Sequence, residues 1–198
     1  MRYTCAYCSK NSCHKNEFEN APTNCPTTNK DHKKILKLYK EEANYNIAKA
    51  SAEITMDRYG QKTRIVEIID FANKINYKKI GLAFCVGLAK EANITTKILE
   101  KHGFEVESII CKVGSINREE IGISGCNVPM CNSIGQAMFL NEKKTDFNVL
   151  LGLCVGHDTL FFKYSEAPVT VFAVKDRVLA HNPLGAIYQS ESYYKNKL

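Results

Sequence analysis

The chain has 198 residues, of which 44% are hydrophobic, with nine cysteines and a formal net charge of +6 at pH 7. This length is sufficient for one hydrophobic core with a small appended module. Nothing in the sequence resembles a secretory signal peptide, and no run approaches the roughly 18 apolar residues that cross a bilayer. We therefore expect a cytoplasmic protein without membrane attachment, where clustered cysteines bind metal or react more often than they form disulfides.

Residues 1–29 form a polar, cysteine-rich and turn-rich segment without hydrophobic periodicity. We expect a bound metal ion to supply the fold of this module. Residues 30–77 are predicted to be a helical segment packed on the core. Asp31 caps one helix whose apolar residues keep helical spacing until Gly60, and a second helix begins near Thr63.

From residue 78 to residue 198, strands and helices alternate. Strands are predicted at residues 80–85, 104–111, 147–154 and 169–174. Helices are predicted at residues 88–102, 133–143 and 158–164, and after Pro183. Short strands separated by helices are typical of parallel βαβ units with right-handed crossovers. The predicted fold class is therefore α/β: a small N-terminal metal knuckle, a helical segment, and an open, mainly parallel sheet of about four strands with helices on both faces.

The N-terminal cysteines have the spacing of metal ligands. Cys5-x2-Cys8 lets two sulfurs from one tight turn reach the same ion, and Cys13 and Cys25 complete four ligands, with His14 as an alternative to Cys13. Zinc is our first choice, although the second Cys-x2-Cys of a regular zinc ribbon is absent. An iron–sulfur cluster is the alternative, because it also takes four thiolates and because a final cysteine followed by proline resembles ferredoxin spacing.

Four further cysteines are predicted at one edge of the sheet. Cys85 and Cys154 each begin a Cys-Val-Gly motif, and each motif lies at the end of a predicted apolar strand. Cys111 ends another strand, and Cys131 comes just before a helix. The carboxyl ends of parallel strands are where ligands and chemistry gather, near the point at which strand order reverses. We therefore expect these thiols to share one cleft, where a second metal ion or cluster could bind.

Two histidines and two glycines accompany these thiols. His157 is predicted at a helix start and His181 after the last strand, both at the same edge. Gly87 and Gly156 follow the duplicated cysteines and permit a tight strand-to-helix turn close to a bound group. The expected roles are catalytic for Cys85, Cys131, Cys154 and His157, and cofactor-binding for Cys111, Gly87, Gly156 and His181.

Cysteine is also a common small apolar core residue, which gives each of these thiols a purely structural alternative. This alternative is favoured for Cys111 and for Cys126. It is disfavoured for Cys85 and Cys154, because the duplicated motif coincides with a predicted strand end and a nearby histidine.

Several segments together resemble one known family. In addition to Cys5-x2-Cys8-x4-Cys13, they are residues 81–88, 131–137, 146–149, 152–158, 161–164, 167–170, 175–177 and 181–183. The chain is similar over essentially its whole length to the domain-of-unknown-function 1847 family, bacterial and archaeal metal-binding proteins with a zinc-finger-like N-terminus. The resemblance implies metal binding at the N-terminal cysteines and supplies no reaction.

These patterns leave two main functions open. The first is an enzyme, for example a thiol- or iron–sulfur-dependent oxidoreductase or a protein that handles sulfur, with a small molecule or a redox protein as partner. The second is a non-catalytic module that senses a metal or a ligand. Nucleic-acid binding is disfavoured, because the lysines between residues 30 and 40 fit a solvated helix face and no aromatic residues are interleaved with arginines.

Overall fold

A computed structural model of the protein describes residues 2–57, 59–125 and 128–198. Cys126 lies outside these residues. The chain divides into two compact units, Met1–Lys49 and Ala50–Leu198. Within the described ranges, every helix is too short or too polar to cross a membrane.

The first unit consists of short helices and turns. Its helices are α1 (Ser12–Lys15), α2 (Pro26–Asn29), α3 (Lys33–Tyr39) and the beginning of α4 (Glu42–Met56). Among residues 2–49, Ser12 is the single buried residue. The described part of this unit therefore has no buried apolar core, and hydrophobic burial contributes little to its stability.

The helix predicted from Asp31 onwards is interrupted, so the expectation of one continuous helix is wrong. α3 ends at Tyr39 and α4 begins at Glu42. The side-chain amide of Asn44 donates hydrogen bonds to the Leu38 carbonyl (3.0 Å) and to the Glu41 carboxylate (3.1 Å). A side-chain donor thus bonds a carbonyl in the last turn of α3, and the chain turns there.

The second unit contains the predicted parallel sheet. Its strands are β1 (Lys79–Phe84), β2 (Glu105–Ile110), β3 (Phe147–Leu153) and β4 (Val169–Val174). They are hydrogen-bonded in the order β2-β1-β3-β4, and every pair is parallel. The predicted α/β class and sheet are confirmed, and the sheet is wholly parallel among the described residues.

Helices cover both faces of this sheet. The helices of the second unit are the end of α4, α5 (Arg64–Ile75), α6 (Ala89–Lys101), α7 (Ser133–Glu142), α8 (His157–Tyr164) and α9 (Leu184–Tyr188). Residues of α5 and α6 pack in one buried cluster with Leu82, whereas residues of α7 and α8 pack in a second cluster with Ala83. Successive strand residues face opposite sides of a sheet, so these are two cores on its two faces.

The strand order reverses between β1 and β3. The chain leaves β1 through α6 to reach β2 on one side, and it returns through α7 to β3 on the other side of β1. In open parallel sheets, ligands bind in the crevice beyond the carboxyl ends of the strands that flank such a reversal. Here that crevice lies beyond Phe84 and Leu153.

Candidate functional site

Three neighbouring strands each end immediately before a cysteine. Cys85 follows β1, Cys111 follows β2 and Cys154 follows β3. The backbone ladder continues one residue beyond the strands: the Cys111 N–H donates to the Phe84 carbonyl (2.8 Å) and the Cys85 N–H to the Leu151 carbonyl (3.1 Å). The structure therefore holds these backbones side by side at the carboxyl edge, as the sequence analysis expected.

Cys131 reaches the same edge from the loop before α7. The Asn132 N–H donates to the Cys111 carbonyl (2.7 Å), and the Asn132 side chain accepts from the Gly135 N–H (2.8 Å) to cap α7. These two bonds fix Cys131 beside β2, and its Sγ lies 3.8 Å from the Sγ of Cys111. The predicted meeting of a helix-start thiol with a strand-end thiol is present for this pair.

Cys111 is the most deeply buried of these thiols, with 2% of its surface exposed. Its sulfur accepts a hydrogen bond from the Val86 N–H at 3.3 Å. Burial, opposed by that hydrogen bond and assisted by the nearby sulfurs of Cys131 and Cys85, raises the pKa of Cys111 to about 12. Without a bound metal, Cys111 is therefore a neutral thiol at physiological pH.

This raised pKa predicts an alkaline loss of stability. In the unfolded state, the Cys111 thiol loses its proton near pH 8.5. In the folded state, it keeps the proton until about pH 12, so deprotonation between these pH values favours the unfolded state. We expect the free energy of unfolding of metal-free protein to fall by up to about 1.4 kcal/mol per pH unit above pH 8.5 from this group. Urea unfolding between pH 8 and 9.5 measures the slope. Cys111→Ser should flatten it, whereas the exposed thiol variant Cys5→Ser should not; equal slopes in all three proteins would contradict the assignment.

Cys154 is half-buried and has a cation beside it. The Arg177 guanidinium Nη2 lies 3.5 Å from the Cys154 sulfur. The Cys154 sulfur, with smaller contributions from Cys85 and Cys131, raises the pKa of Arg177. This arginine is therefore in contact with Cys154 and can offset negative charge on its sulfur.

A second cation, Lys175, directly follows β4. Its N–H donates to the Leu153 carbonyl (3.0 Å), which extends the β3–β4 pairing by one step. Its Nζ lies 3.5 Å from the point that a Cβ on Gly87 would occupy, and the Cys85 Sγ lies 4.0 Å from the same point. The absence of a side chain at Gly87 leaves this space between the ammonium group and the thiol open.

The two predicted turn glycines differ. Gly156 has φ +86°, a conformation that side-chain-bearing residues rarely adopt, and it leads directly into α8. Gly87 does not have a positive φ. Its contribution is the open space beside Lys175, so the expectation that Gly87 supplies backbone freedom for a tight turn is not met.

His157 is the first residue of α8, and its N–H donates to the Cys154 carbonyl at 3.0 Å. Burial first, and then the positive charge of Lys112, lower the pKa of His157, against the opposing charge of Asp158. The ring is therefore neutral at pH 7, the form in which histidine accepts a proton or binds a metal.

His181 lies at the end of β4 with its ring turned to the backbone. Its Nδ1 is 3.1 Å from the Val174 carbonyl oxygen and 3.1 Å from the Asp176 nitrogen. Across the described ranges, neither this ring nor that of His157 hydrogen-bonds a cysteine sulfur. The two histidines thus lie near the sheet-edge cysteines but form no hydrogen bond with their sulfurs in the described part of the chain.

Gln136 is a buried residue that the sequence reasoning missed. Its side-chain amide donates to the Phe84 carbonyl (3.2 Å) and the Ile109 carbonyl (2.7 Å), and so joins the ends of β1 and β2 below Cys85 and Cys111. Gln136 Oε1 and the hydroxyl of Ser133 are buried without a partner among the described residues. The sequence offered one indication of this role: Gln136 lies among apolar residues of a predicted helix, and a buried amide side chain needs specific hydrogen-bond partners.

Lys175 and Arg177 were also missed as site residues. The strand-end rule that selected Cys85, Cys111 and Cys154 applies equally to the residues after β4. Soft metal ligands were the expected chemistry at that edge, and in this segment His181 is the residue of that type.

The four N-terminal cysteines line one cleft in the first unit. Cys5, Cys8, Cys13 and Cys25 border an open space of about 490 Å³, whereas His14 is exposed and not part of the lining. Two hydrogen bonds from Thr27 to the Cys25 sulfur lower the pKa of Cys25. The hydroxyl of Thr27 has the larger effect and its backbone N–H the smaller.

The chemistry of this donor set fits a thiophilic metal: four thiols border one space, and one of them is predisposed to ionise. In the described part of the chain, however, no three cysteine, histidine or carboxylate side chains already stand in ligating geometry, either here or at the sheet edge. Binding would therefore require side chains to rotate toward the ion.

Comparison with known proteins relates the chain to others of undetermined activity. Residues 24–172 match the model of a family described as protein of unknown function DUF1847. The chain belongs to this family. The match begins just before Cys25 and ends within β4, so it includes the four sheet-edge thiols and leaves out Cys5, Cys8, Cys13 and the segment after β4.

A relative extends the similarity of this DUF1847 protein to its whole length. It is 48% identical over 203 residues to the uncharacterized protein MJ0455 of Methanocaldococcus jannaschii, covering 98% of this chain and 97% of that one. The predicted family is confirmed; the metal site that the resemblance implied stays a prediction.

Proposed function

We propose that this DUF1847 protein is a metal-binding protein with a thiol-lined site at the carboxyl edge of its sheet. Cys85, Cys111, Cys131 and Cys154 would bind a thiophilic metal ion or cluster for redox or sulfur chemistry. The observation that carries the proposal is the convergence of strand-end and helix-start thiols at the strand-order reversal, with Cys111 and Cys131 in sulfur–sulfur contact.

The distance between these two sulfurs supports a shared metal. A disulfide bond has its sulfurs about 2.05 Å apart. Two thiolates on one tetrahedral zinc ion, each about 2.3 Å from the metal, have their sulfurs about 3.8 Å apart. The separation of Cys111 and Cys131 is 3.8 Å. This separation is that of an S–H···S hydrogen bond from Cys131 to Cys111, and it equals the spacing of two thiolates on one ion. A disulfide would require the two sulfurs to move closer together.

The N-terminal cysteines would bind a second metal. Cys5, Cys8, Cys13 and Cys25 border one cleft, and the described part of their unit lacks a buried apolar core, so that bound metal would supply the missing stability. Zinc remains the first choice and an iron–sulfur cluster the alternative. A metal here would be structural or relay electrons.

The surroundings of the sheet-edge thiols would prepare them for a metal. A bound zinc ion would supply Lewis acidity, and an iron–sulfur cluster would supply electron transfer. The Val86 N–H donates to the Cys111 sulfur and would stabilise it once the metal has displaced its proton. Arg177 would offset negative charge at Cys154, and Gln136 would hold the ends of β1 and β2 in place as a positioning residue.

Metal content tests this proposal. After anaerobic purification, elemental analysis and visible absorbance of the wild-type protein should show two metal centres, colourless for zinc and brown for iron–sulfur. Cys111→Ser with Cys131→Ser should remove the sheet-edge centre alone, whereas Cys5→Ser with Cys8→Ser should remove the N-terminal centre alone. If the sheet-edge variant keeps every metal and all of its thiol reactivity, the sheet-edge site is wrong.

The burial of two ligands favours a second candidate function. Cys85 and Cys111 are 6% and 2% exposed, and four thiolates around one ion would leave it no open position for a substrate. The protein would then be a sensing module without catalysis. A metal-dependent rise in melting temperature without turnover of any thiol or disulfide substrate would support this function over the enzyme.

A further inference from the structure

Two cations at the carboxyl edge have unused hydrogen-bond donors. Among the described residues, the Arg177 side chain makes one hydrogen bond, from Nη2 to the Cys154 sulfur, although a guanidinium carries five N–H donors. Lys175 makes no side-chain hydrogen bond among the described residues, although its Nζ lies beside the open space at Gly87. Donors are thus available near Cys154 and near Cys85.

Carboxylates do not neutralise these cations. Across residues 2–57, 59–125 and 128–198, neither Lys175 nor Arg177 forms an ion pair with an aspartate or glutamate. Asp176, which lies between them in sequence, instead accepts the backbone N–H groups of Val178 (2.9 Å) and Leu179 (2.8 Å). Its carboxylate therefore fixes the turn after β4 and holds the two cationic residues at the edge of the sheet.

We propose that Lys175 and Arg177 form an anion-binding subsite, and that the ligand of the sheet-edge thiols is a small molecule with a carboxylate or another oxyanion group. This inference rests on the proposed function and names the class of ligand for it. The planar guanidinium matches two oxygens of such a group, and the ammonium acts as a mobile point charge beside it. Lys175 lies beside the open space at Gly87, which Cys85 also borders, and Arg177 lies beside Cys154.

Two alkylating reagents of similar size, one anionic and one neutral, test the subsite. Iodoacetate is an anion and iodoacetamide is neutral. With both, the thiolate attacks the methylene carbon, a C–S bond forms, the C–I bond breaks and iodide leaves. The tryptic peptide of residues 145–163 contains Cys154 as its single cysteine, so mass spectrometry follows this thiol separately in the full-length protein.

The ratio of the two alkylation rates at Cys154 is the informative quantity. In the variant Lys175→Gln with Arg177→Gln, we expect the iodoacetate-to-iodoacetamide ratio to fall by on the order of threefold to tenfold relative to wild type. Lys101→Gln removes a lysine at the far end of α6 and should leave the ratio unchanged. Added salt should lower the wild-type ratio toward that of the double variant.

Cations that merely stabilise the Cys154 thiolate would give a different result. Removing them would then slow both reagents equally, and an unchanged ratio would overturn the anion subsite. This outcome is separate from failure of the proposed function, which metal analysis of the cysteine variants decides.

Calorimetric titration with inorganic sulfate at constant ionic strength provides a second measurement that a metal-protected thiol cannot obscure. Saturable binding in wild type and Lys101→Gln, lost in the double variant, supports the subsite. The same heat in all three proteins contradicts it.

Discussion

Replacing Cys5 and Cys8 together by serine is expected to unfold the N-terminal unit while the sheet of the second unit stays folded. Among residues 2–49 only Ser12 is buried, so little apolar burial remains to hold this unit once two of four proposed ligands are gone. Structural zinc sites contribute on the order of 10 kcal/mol to folding, far more than the hydrogen bonds of a few short helices. Amide hydrogen exchange should show loss of protection confined to residues before 50.

His14→Asn is the matched control for this experiment. His14 is adjacent to Cys13 in α1 but does not line the cleft of the four cysteines. We expect His14→Asn to keep both the metal and the protection, whereas Cys13→Ser should lose them. The opposite result would make His14 the fourth ligand. If the double serine variant keeps full protection before residue 50, the metal-dependent folding of this unit is wrong.

Local patterns were sufficient to predict the centre of the sheet because β1 and β3 are buried on both faces. The run from Phe147 to Leu153 is buried throughout, and such a continuous apolar segment between helices is typical of a central parallel strand. The break between α3 and α4 was missed because local turn contacts accompany it, one of them from a side chain. Asn44 bonds the Leu38 carbonyl, a contact that apolar periodicity does not encode.

The candidate site likewise contains residues that the sequence predicts and residues that it does not. Strand ends are predictable from strand positions, so the amino-acid sequence alone is enough to place the thiols of Cys85, Cys111 and Cys154 at one edge. The 3.8 Å contact of Cys131 with Cys111 depends on the loop before α7, and its geometry follows from backbone bonds of Asn132 that sequence spacing leaves open. Arg177 was missed for a different reason: a charged residue in a surface turn has many solvated alternatives, and only its distance to Cys154 distinguishes it.

Gly152→Ala is expected to lower the free energy of unfolding by about 2–4 kcal/mol and to increase the reactivity of Cys154. Gly152 has φ +70°, and a Cβ there would overlap the Cδ1 methyl of Leu88, which is 6% exposed in the core. Two costs add, backbone strain and overpacking. Denaturant unfolding measures the stability, and iodoacetamide labelling of the residue 145–163 peptide measures the reactivity.

The functional consequence follows from the irregular pairing at this glycine. The register between β3 and β4 shifts twice, between Leu150 and Leu151 and between Leu151 and Leu153. Leu151 packs in the cluster with α5 and α6, whereas Leu153, two residues later, packs in the cluster with α7 and α8. In a regular strand, residues two apart face the same side, so the bulge at Gly152 reverses the faces just before Cys154. A substitution that straightens the bulge would therefore change which face the end of β3 presents.

Gly156→Ala separates the two costs. Gly156 also has a positive φ, +86°, but a Cβ there would meet no atom within 4 Å. It should lose only the strain term, about 1–2 kcal/mol. Gly152→Ala could lower the free energy of unfolding no more than Gly156→Ala does, with Cys154 labelled at the wild-type rate. In that case the Leu88 side chain moves to accommodate the new methyl group, and the bulge does not determine the position of the Cys154 thiol. A larger cost together with faster labelling would show that packing against Leu88 holds the end of β3 in the geometry that the thiol site needs.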